Sequence, residues 1–400
     1  MSRPDLTPQT GSPVAVPARA SRGPLCVAIV GCGKMASAHA AALLEDERCE
    51  LVAAVDPVGE AAAGFARRFS LPRTYADHRA MLRAEAPDIV VVCTWPPDHA
   101  APVVDALAAG VRGILCEKPL AVTLSEADRM VAAAEQAGAI FMVGHQRRLE
   151  PRYALARQLV AQGAVGEVLE VIGAAGGDLL SDGTHLVDLV RFLLGDPPAL
   201  WVFAGIDRTL PERMSPEGFG TRDFNTTRHR YGHRIEGGAV GHVQFARAAG
   251  PEAAGAGARV GAAPGAGAGG ARLLFETGCL ARPTGYQSLR VEGTLGRLAI
   301  SGDPSGDGAP WLRIQRDRGW EDVPLPRVNA VQRQDAALLD SVLAGRATPE
   351  AALLLGHSAR ADLEILLAAL ESAVQRERVP LPLQPADHPL ERLESGEGGR

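Results

Sequence analysis

Four hundred residues are long enough for two domains, and 46% hydrophobic content is ample for a buried core. A net charge of -6 and a pI near 6.0 leave no electrostatic footprint for nucleic acid or an anionic membrane surface. The six cysteines include no CxxC pair and no ligand-like spacing, which excludes a disulfide framework and a zinc site and fits reduced thiols in a cytoplasmic protein. No metal is expected.

Residues 1–24 are rich in Pro, Ser, Ala and Arg without a continuous apolar run, so they read as a disordered tail rather than a secretory signal. No segment offers the roughly 18 apolar residues of a membrane span. Order is expected to begin at Leu25. Leu25 to Val30 is a short apolar run of the kind found in strands buried on both faces. It leads into Gly31-Cys-Gly33-Lys34-Met35-Ala36 and a helical stretch from Ser37 to Glu45. Strand, G-x-G-x-x-A and helix form the dinucleotide-binding arrangement. Gly31 makes the tight turn, Gly33 admits the pyrophosphate, and Ala36 permits close helix packing. A second apolar run, Leu51 to Val55, ends at Asp56, 23 residues after Gly33. An acid there hydrogen-bonds the ribose hydroxyls and repels a 2′-phosphate, so NAD is expected and NADP is disfavoured.

Strands and helices go on alternating: helices over 60–69 and 77–86, a strand over 88–93, then Thr94-Trp95-Pro-Pro-Asp-His99 and a helix to Ala108. A strand over 112–116 runs into Glu117-Lys118-Pro119. Thr123 to Glu126 resembles a capping box before a helix over 127–136, and Ile140 to Val143 is a last strand. This pattern specifies a doubly wound parallel sheet with its ligands at the carboxyl ends of the strands, where every motif so far falls. Lys118 is one of only two lysines, the other being Lys34, in a chain whose remaining cations are arginine. A lysine kept in such a background suggests work arginine cannot do, because an ammonium is compact and its pKa can be tuned. Pro119 restricts Lys118 and can fix its direction, through a cis bond among other ways.

Gly31-x-Gly33-x-x-Ala36, Asp56, Thr94 with His99, Glu117-Lys118-Pro119 and Gly144-His-Gln-Arg-Arg148 together resemble the Gfo/Idh/MocA oxidoreductases. The resemblance runs from about Leu25 to Leu383, and Glu-Lys-Pro is its most specific element. It implies an α/β protein: an N-terminal Rossmann domain (25–145), then an α/β domain with an open, mostly antiparallel sheet (146–385) and a polar tail (386–400). It also implies an NAD-dependent oxidoreductase, transferring hydride between nicotinamide and a carbinol carbon of a sugar, inositol or related polyol. The residues it points to for cofactor contact are Gly31, Gly33, Lys34, Met35, Asp56, Thr94, Trp95, His99, Glu117 and Lys118. For catalysis and substrate it points to Lys118 and His185, in Leu179-Leu-Ser-Asp-Gly-Thr-His185, with Asp182 beside them. A base titrating near neutrality suits removal of the hydroxyl proton, and a lysine nearby stabilises the developing alkoxide.

One departure stands out. The family pattern has an aspartate four residues before the histidine; here that position is Ser181, and Asp182 lies three before. Asp182 either serves the site or caps the helix whose apolar face is Leu186, Leu189, Val190 and Leu193. Asp188 reads as structural or as an orienter of His185. Trp95 either flanks the nicotinamide or packs against its loop. Arg147 and Arg148 either bind an acidic substrate group, Arg148 being the substrate-contact candidate, or simply begin a helix. His229 and His233, in the segment before a strand, either line the pocket or are surface histidines, the surface reading being preferred.

The second domain is expected to contribute strands over 168–172, 200–203, 238–245, 272–276, 288–292 and 297–300, interrupted by a flexible Gly/Ala-rich insert over 247–271. Helices follow over 330–343 and 349–375, the second capped by Thr348 with Pro349 at its first position. An open sheet face needs a cover, so a homodimer or homotetramer is expected. Two other classes fit the same motifs: a glycosidase using bound NAD for transient oxidation, and a non-catalytic nucleotide and sugar sensor.

Overall fold

The computed structural model describes residues 23–207, 224–226, 229–247, 269–278, 287–301, 311–316, 319–384 and 388–392. Most of the expected tails and of the expected insert lie outside the described residues; within the C-terminal tail Pro389–Arg392 is a short helix that buries Pro389 and Leu390. The N-terminal part alternates β1 (Leu25–Val30), α1 (Lys34–Leu44), β2 (Cys49–Val55), α2 (Gly59–Phe69), β3 (Arg73–Tyr75), α3 (His78–Glu85), β4 (Ile89–Val92), α4 (Ala100–Ala108), β5 (Gly113–Cys116), α5 (Leu124–Ala137) and β6 (Ile140–Val143). Its six strands lie in the order β3-β2-β1-β4-β5-β6, all parallel. That is the doubly wound order in which strand order reverses between β1 and β4, opening a crevice at their carboxyl ends. The central strands are apolar and buried throughout because helices cover both faces. Thr123 caps α5 as expected: its hydroxyl accepts from Glu126 N at 3.3 Å, and the Glu126 carboxylate answers at 3.0 Å.

The second part holds α6 (Pro151–Ala161), β7 (Val168–Ala175), α7 (Gly183–Leu194), β8 (Ala199–Asp207), β9 (Phe224–Thr226), β10 (His229–Arg230), β11 (His233–Arg234), β12 (Gly238–Ala246), β13 (Gly269–Thr277), β14 (Gln287–Gly293), β15 (Arg297–Ser301), β16 (Trp311–Arg316) and β17 (Gly319–Val323). After them come α8 (Ala330–Ala344), α9 (Pro349–Ala352), α10 (Gly356–Gln375) and β18 (Val379–Pro380). Nine strands form one open sheet, β17-β16-β15-β14-β7-β13-β12-β8-β18, antiparallel except where β13 runs beside β7. One face packs on α7 and α10; the other exposes Phe203, Val240, Leu274 and Trp311.

Two features depart from the sequence reading. β16, β17 and the short β9–β11 ladder lacked a sequence signal. The helix expected over 349–375 is also two helices, broken at residues 353–355. At the break Leu354 O accepts Val143 N at 2.8 Å, and Leu355 bridges to Met142, extending the edge of the parallel sheet. A Cβ on Gly356 would lie 2.5 Å from the Phe141 ring, so glycine permits this close approach. α8 returns to the N-terminal sheet and packs on α1. Among the described residues no helix is long and apolar enough to cross a membrane.

Candidate active site

The crevice begins at the glycine loop. Gly31 has φ +90°, and a Cβ there would lie 2.6 Å from the backbone carbonyl of Cys93, so this turn requires glycine. Gly33 is the N-cap of α1 with no side-chain cap, and a Cβ on it would meet nothing within 4 Å. Open space in front of an uncapped helix N-terminus is what a pyrophosphate requires. Asp56, at the carboxyl end of β2, braces the loop: its carboxylate accepts Cys32 N at 3.0 Å and Val58 N at 2.9 Å. Lys34 opens α1 exposed, Met35 is half-buried behind it, and Trp95 stands 43% exposed at the rim. Thr94 donates to Asp98 O at 3.1 Å, closing its own turn.

Two expected cofactor contacts have other duties. His99 is fully buried, with its ring nitrogens 3.2 Å from Leu120 O and 3.1 Å from Thr94 O. It ties the loop after β4 to the segment after Pro119 and does not face the crevice. The Glu117 side chain points inward to His39 at 3.1 Å, behind the loop it belongs to.

Lys118 is where the two parts of the chain meet. Its peptide bond to Pro119 is cis, and its ammonium donates to Ser181 O in the second domain at 2.7 Å. Burial lowers its pKa, while Asp182 and Glu117 pull the other way. Asp182 sits at the N-cap of α7 but makes no side-chain cap; its carboxylate instead accepts from Arg230 at 2.5 Å. The capping alternative for Asp182 is thereby replaced by an ion pair. The same guanidinium donates to Asp178 at 3.0 Å. Burial opposes the charge on Asp178, but His233 and Arg230 outweigh it and hold that carboxyl far below the usual range. Burial prevails at Asp182, raising it despite Arg230 and Lys118. The two carboxyls that share one guanidinium are therefore pushed apart.

His185, in the first turn of α7, is 3% exposed. Burial, then the Lys118 and Arg147 cations, hold its pKa well below the ordinary value, so the ring is a neutral base. Its Nδ1 is buried with no hydrogen-bond partner. Asp188 does not orient it. That carboxylate accepts from Arg148 at 2.7 Å and lies 3.1 Å from Nδ1 of His145, whose Nε2 is 3.1 Å from the Thr184 hydroxyl. His145 then meets His185 edge-on, with ring centroids 5.7 Å apart. Asp188 thus acts one histidine further back.

Arg148 is a correction. It is 2% exposed, and its guanidinium binds Asp188, Asp196, Leu353 O and Ser358. It joins α7 to the α9–α10 break and faces no substrate space. Arg147, half-buried, is the arginine near His185; it donates to Gln287 at 2.7 Å. His233 corrects a second expectation. It is 4% exposed, not a surface residue, with Nε2 3.3 Å from the Ser181 hydroxyl and 3.5 Å from Asp178. Asp178 and Arg230 went unrecognised in the sequence, and His233 was offered only as the less favoured pocket alternative. The departure at Ser181 was the one available signal, since losing a carboxylate there suggests that charge has moved elsewhere.

Residues 25–145 match the profile of the oxidoreductase family with an NAD-binding Rossmann fold, GFO_IDH_MocA. The chain is 34% identical to D-apiose dehydrogenase of Paraburkholderia graminis over 186 residues, 42% of this chain and 49% of that protein. It is 31% identical to levoglucosan dehydrogenase of Pseudarthrobacter phenanthrenivorans over 235 residues, 50% of this chain and 58% of that one. The chain thus spans about half the length of the curated relatives it matches. Among solved structures, aldose-aldose oxidoreductase from Caulobacter crescentus, complexed with glycerol, has TM-score 0.70 at 21% identity, covering 90% of this chain and all of that one. A levoglucosan dehydrogenase complex with NADH and levoglucosan has TM-score 0.70 at 20% identity, with the same 90% of this chain and 100% of that chain covered. At such identities the two structures speak to the fold. The family's profile over β1 to β6 agrees with the strand order, glycine loop and Glu-Lys-Pro step described above, and makes residues 25–145 similar to the NAD-binding Rossmann domain of the Gfo/Idh/MocA oxidoreductases.

Proposed function

We propose that this protein oxidises, or in reverse reduces, a carbinol carbon of a sugar, inositol or related polyol with NAD, using Lys118 and His185 as its catalytic pair. The observation that carries the reading is the Lys118 ammonium, just past the carboxyl end of β5, bonding Ser181 O four residues before buried His185, with the open glycine loop at the carboxyl end of the same parallel sheet. Relatives named as dehydrogenases of D-apiose, levoglucosan and inositol support the substrate class.

Bound NAD supplies the hydride acceptor. Gly33 and the α1 N-terminus receive its pyrophosphate, and Asp56 at the end of β2 favours a free ribose hydroxyl over a 2′-phosphate. His185 takes the hydroxyl proton as the carbon–hydrogen bond yields its electron pair, leaving a carbonyl and a protonated imidazole. Lys118 places its ammonium against the oxygen that gathers charge. Ser181 O and Asp182 hold that ammonium at the domain junction. The exposed apolar face of the nine-stranded sheet supports a second copy as its cover.

The test is NADH formation from NAD and a panel of inositols, aldoses, amino sugars and sugar acids, with glycosides in parallel. Net NADH is expected with at least one polyol or sugar. Aglycone release without NADH would replace this reading with transient oxidation.

A further inference from the structure

His39 has no part in the proposed chemistry, yet it is the most tightly held ionisable group near it. It lies mid-way along α1 and is fully buried. Its Nδ1 is 2.9 and 3.1 Å from the two oxygens of Asp335 on α8, and its Nε2 is 3.1 Å from Oε1 of Glu117. A neutral imidazole has one N–H and one lone pair, and the lone pair would face a carboxylate. Only the doubly protonated ring donates on both sides. Burial works against that charge, but Asp335 and Glu117 outweigh it and raise His39 to about 10. Burial also raises Asp335, so the proton that bridges it to His39 is held by the pair, and the ring stands clamped between two carboxyl groups; the other groups close to them are the Cys49, Cys93 and Cys116 thiols and Lys118.

The far side of Glu117 matters most. Its Oε2 accepts the backbone N–H of Lys118 at 3.3 Å, so one side chain is gripped by His39 on one oxygen and holds Lys118 with the other. Gly144 closes the remaining side: a Cβ there would come within 2.8 Å of Glu117 Oε1. Helix α8, contributed from beyond residue 329, thus reaches the Lys118 backbone through Asp335, His39 and Glu117 in turn.

We propose that His39 is a positioning residue, clamped between Asp335 and Glu117, which fixes the backbone at Lys118 and makes α8 part of the catalytic apparatus. This rests on the reading of Lys118 given above. A side chain that merely filled the core would affect stability alone. The clamp acts on the geometry of one loop, and a catalytic group displaced by about 1 Å costs on the order of 100-fold in rate.

The test uses Asp335→Asn, which keeps the shape and removes the charge, with His39→Gln as a second variant. Backbone amide exchange over residues 114–121 and kcat are measured together in the full chain with NAD. Exchange at Lys118 and Leu120 is expected to rise about tenfold, as for a locally opened segment, and kcat to fall about 10- to 100-fold. Unchanged exchange in both folded variants would overturn the clamp. Raised exchange with wild-type kcat would overturn the positioning role. A wild-type protein without turnover on any substrate would remove the catalytic reading of Lys118, while the exchange result still decides the clamp.

Discussion

The Lys118 ammonium is compact, half-buried and bonded across the domain junction to Ser181 O. Arginine carries the same charge, but its wider planar fork cannot fill that point. Lys118→Arg is expected to fold and bind NAD while losing about 10²- to 10³-fold in turnover, the scale of removing one preorganised charge-stabilising donor. Isothermal titration with NAD and steady-state rates on one substrate check the two halves. At His185 the sign of the pH dependence follows from burial first, then from Lys118 and Arg147, all of which disfavour its protonated form. Oxidation needs the neutral ring, so the acid limb of the kcat profile is expected below the ordinary histidine range. Arg147→Gln removes one opposing cation and should move that limb to higher pH; an unmoved limb would detach Arg147 from His185. Lys118 and His185 could be singled out in the sequence, Lys118 by its Glu-Lys-Pro step and His185 by its place in a family pattern that departs at Ser181. His233 and Arg230 were not, since nothing in Thr226 to His233 distinguishes a buried pair from a surface turn until the strand folds over Asp178.

The β10–β11 ladder is built of two-residue strands, too short for periodicity to reveal. Its stability comes from what it delivers: one guanidinium to two buried carboxylates. Arg230→Met would leave Asp178 and Asp182 without their shared cation, at a cost of about 3–5 kcal/mol for an uncompensated buried charge. Denaturant unfolding of the variant against wild type measures it; a loss under about 1 kcal/mol would mean the carboxyls are neutralised by protonation instead. Longer elements were readable for the opposite reason. β1, β4 and β5 are continuous apolar runs between turn residues, and α5 announces its start with Thr123 and Glu126. The α9–α10 break escaped notice because apolar spacing continues across it. Its cause is the ring of Phe141, more than 200 residues earlier in the chain.

Across the whole molecule, ionisable groups buried in the second domain set how stability responds to pH. Burial, then Asp178, raises Glu236 from its usual 4.5 to about 8, while its Oε1 accepts Leu179 N at 2.7 Å. The folded state thus keeps a proton that the unfolded state has lost. The resulting stabilisation is complete below about 4.5 and fades as pH rises through about 8. Glu236→Gln should flatten that decline, seen as denaturation midpoints that vary less between about pH 4 and about pH 9, which bracket this window. The outer sheet face is a matter of the same scale. Phe203→Glu places a charge beside Val240 and Leu274 on that face and is expected to yield a monomer by light scattering, where wild type gives a dimer or larger. A wild-type monomer would remove that proposal. Fold class and the likeness to an NAD-binding Rossmann domain were legible at this scale because strand alternation and three motifs point to one architecture. The substrate was not, because specificity depends on side chains that converge only in space. The most direct single measurement is NADH appearance with wild type and Lys118→Arg side by side, each with NAD and the polyol and sugar panel. Net NADH from wild type with at least one member, nearly abolished in Lys118→Arg, is the predicted result; near-equal rates in the two proteins would contradict the assignment of Lys118 on which the mechanism stands.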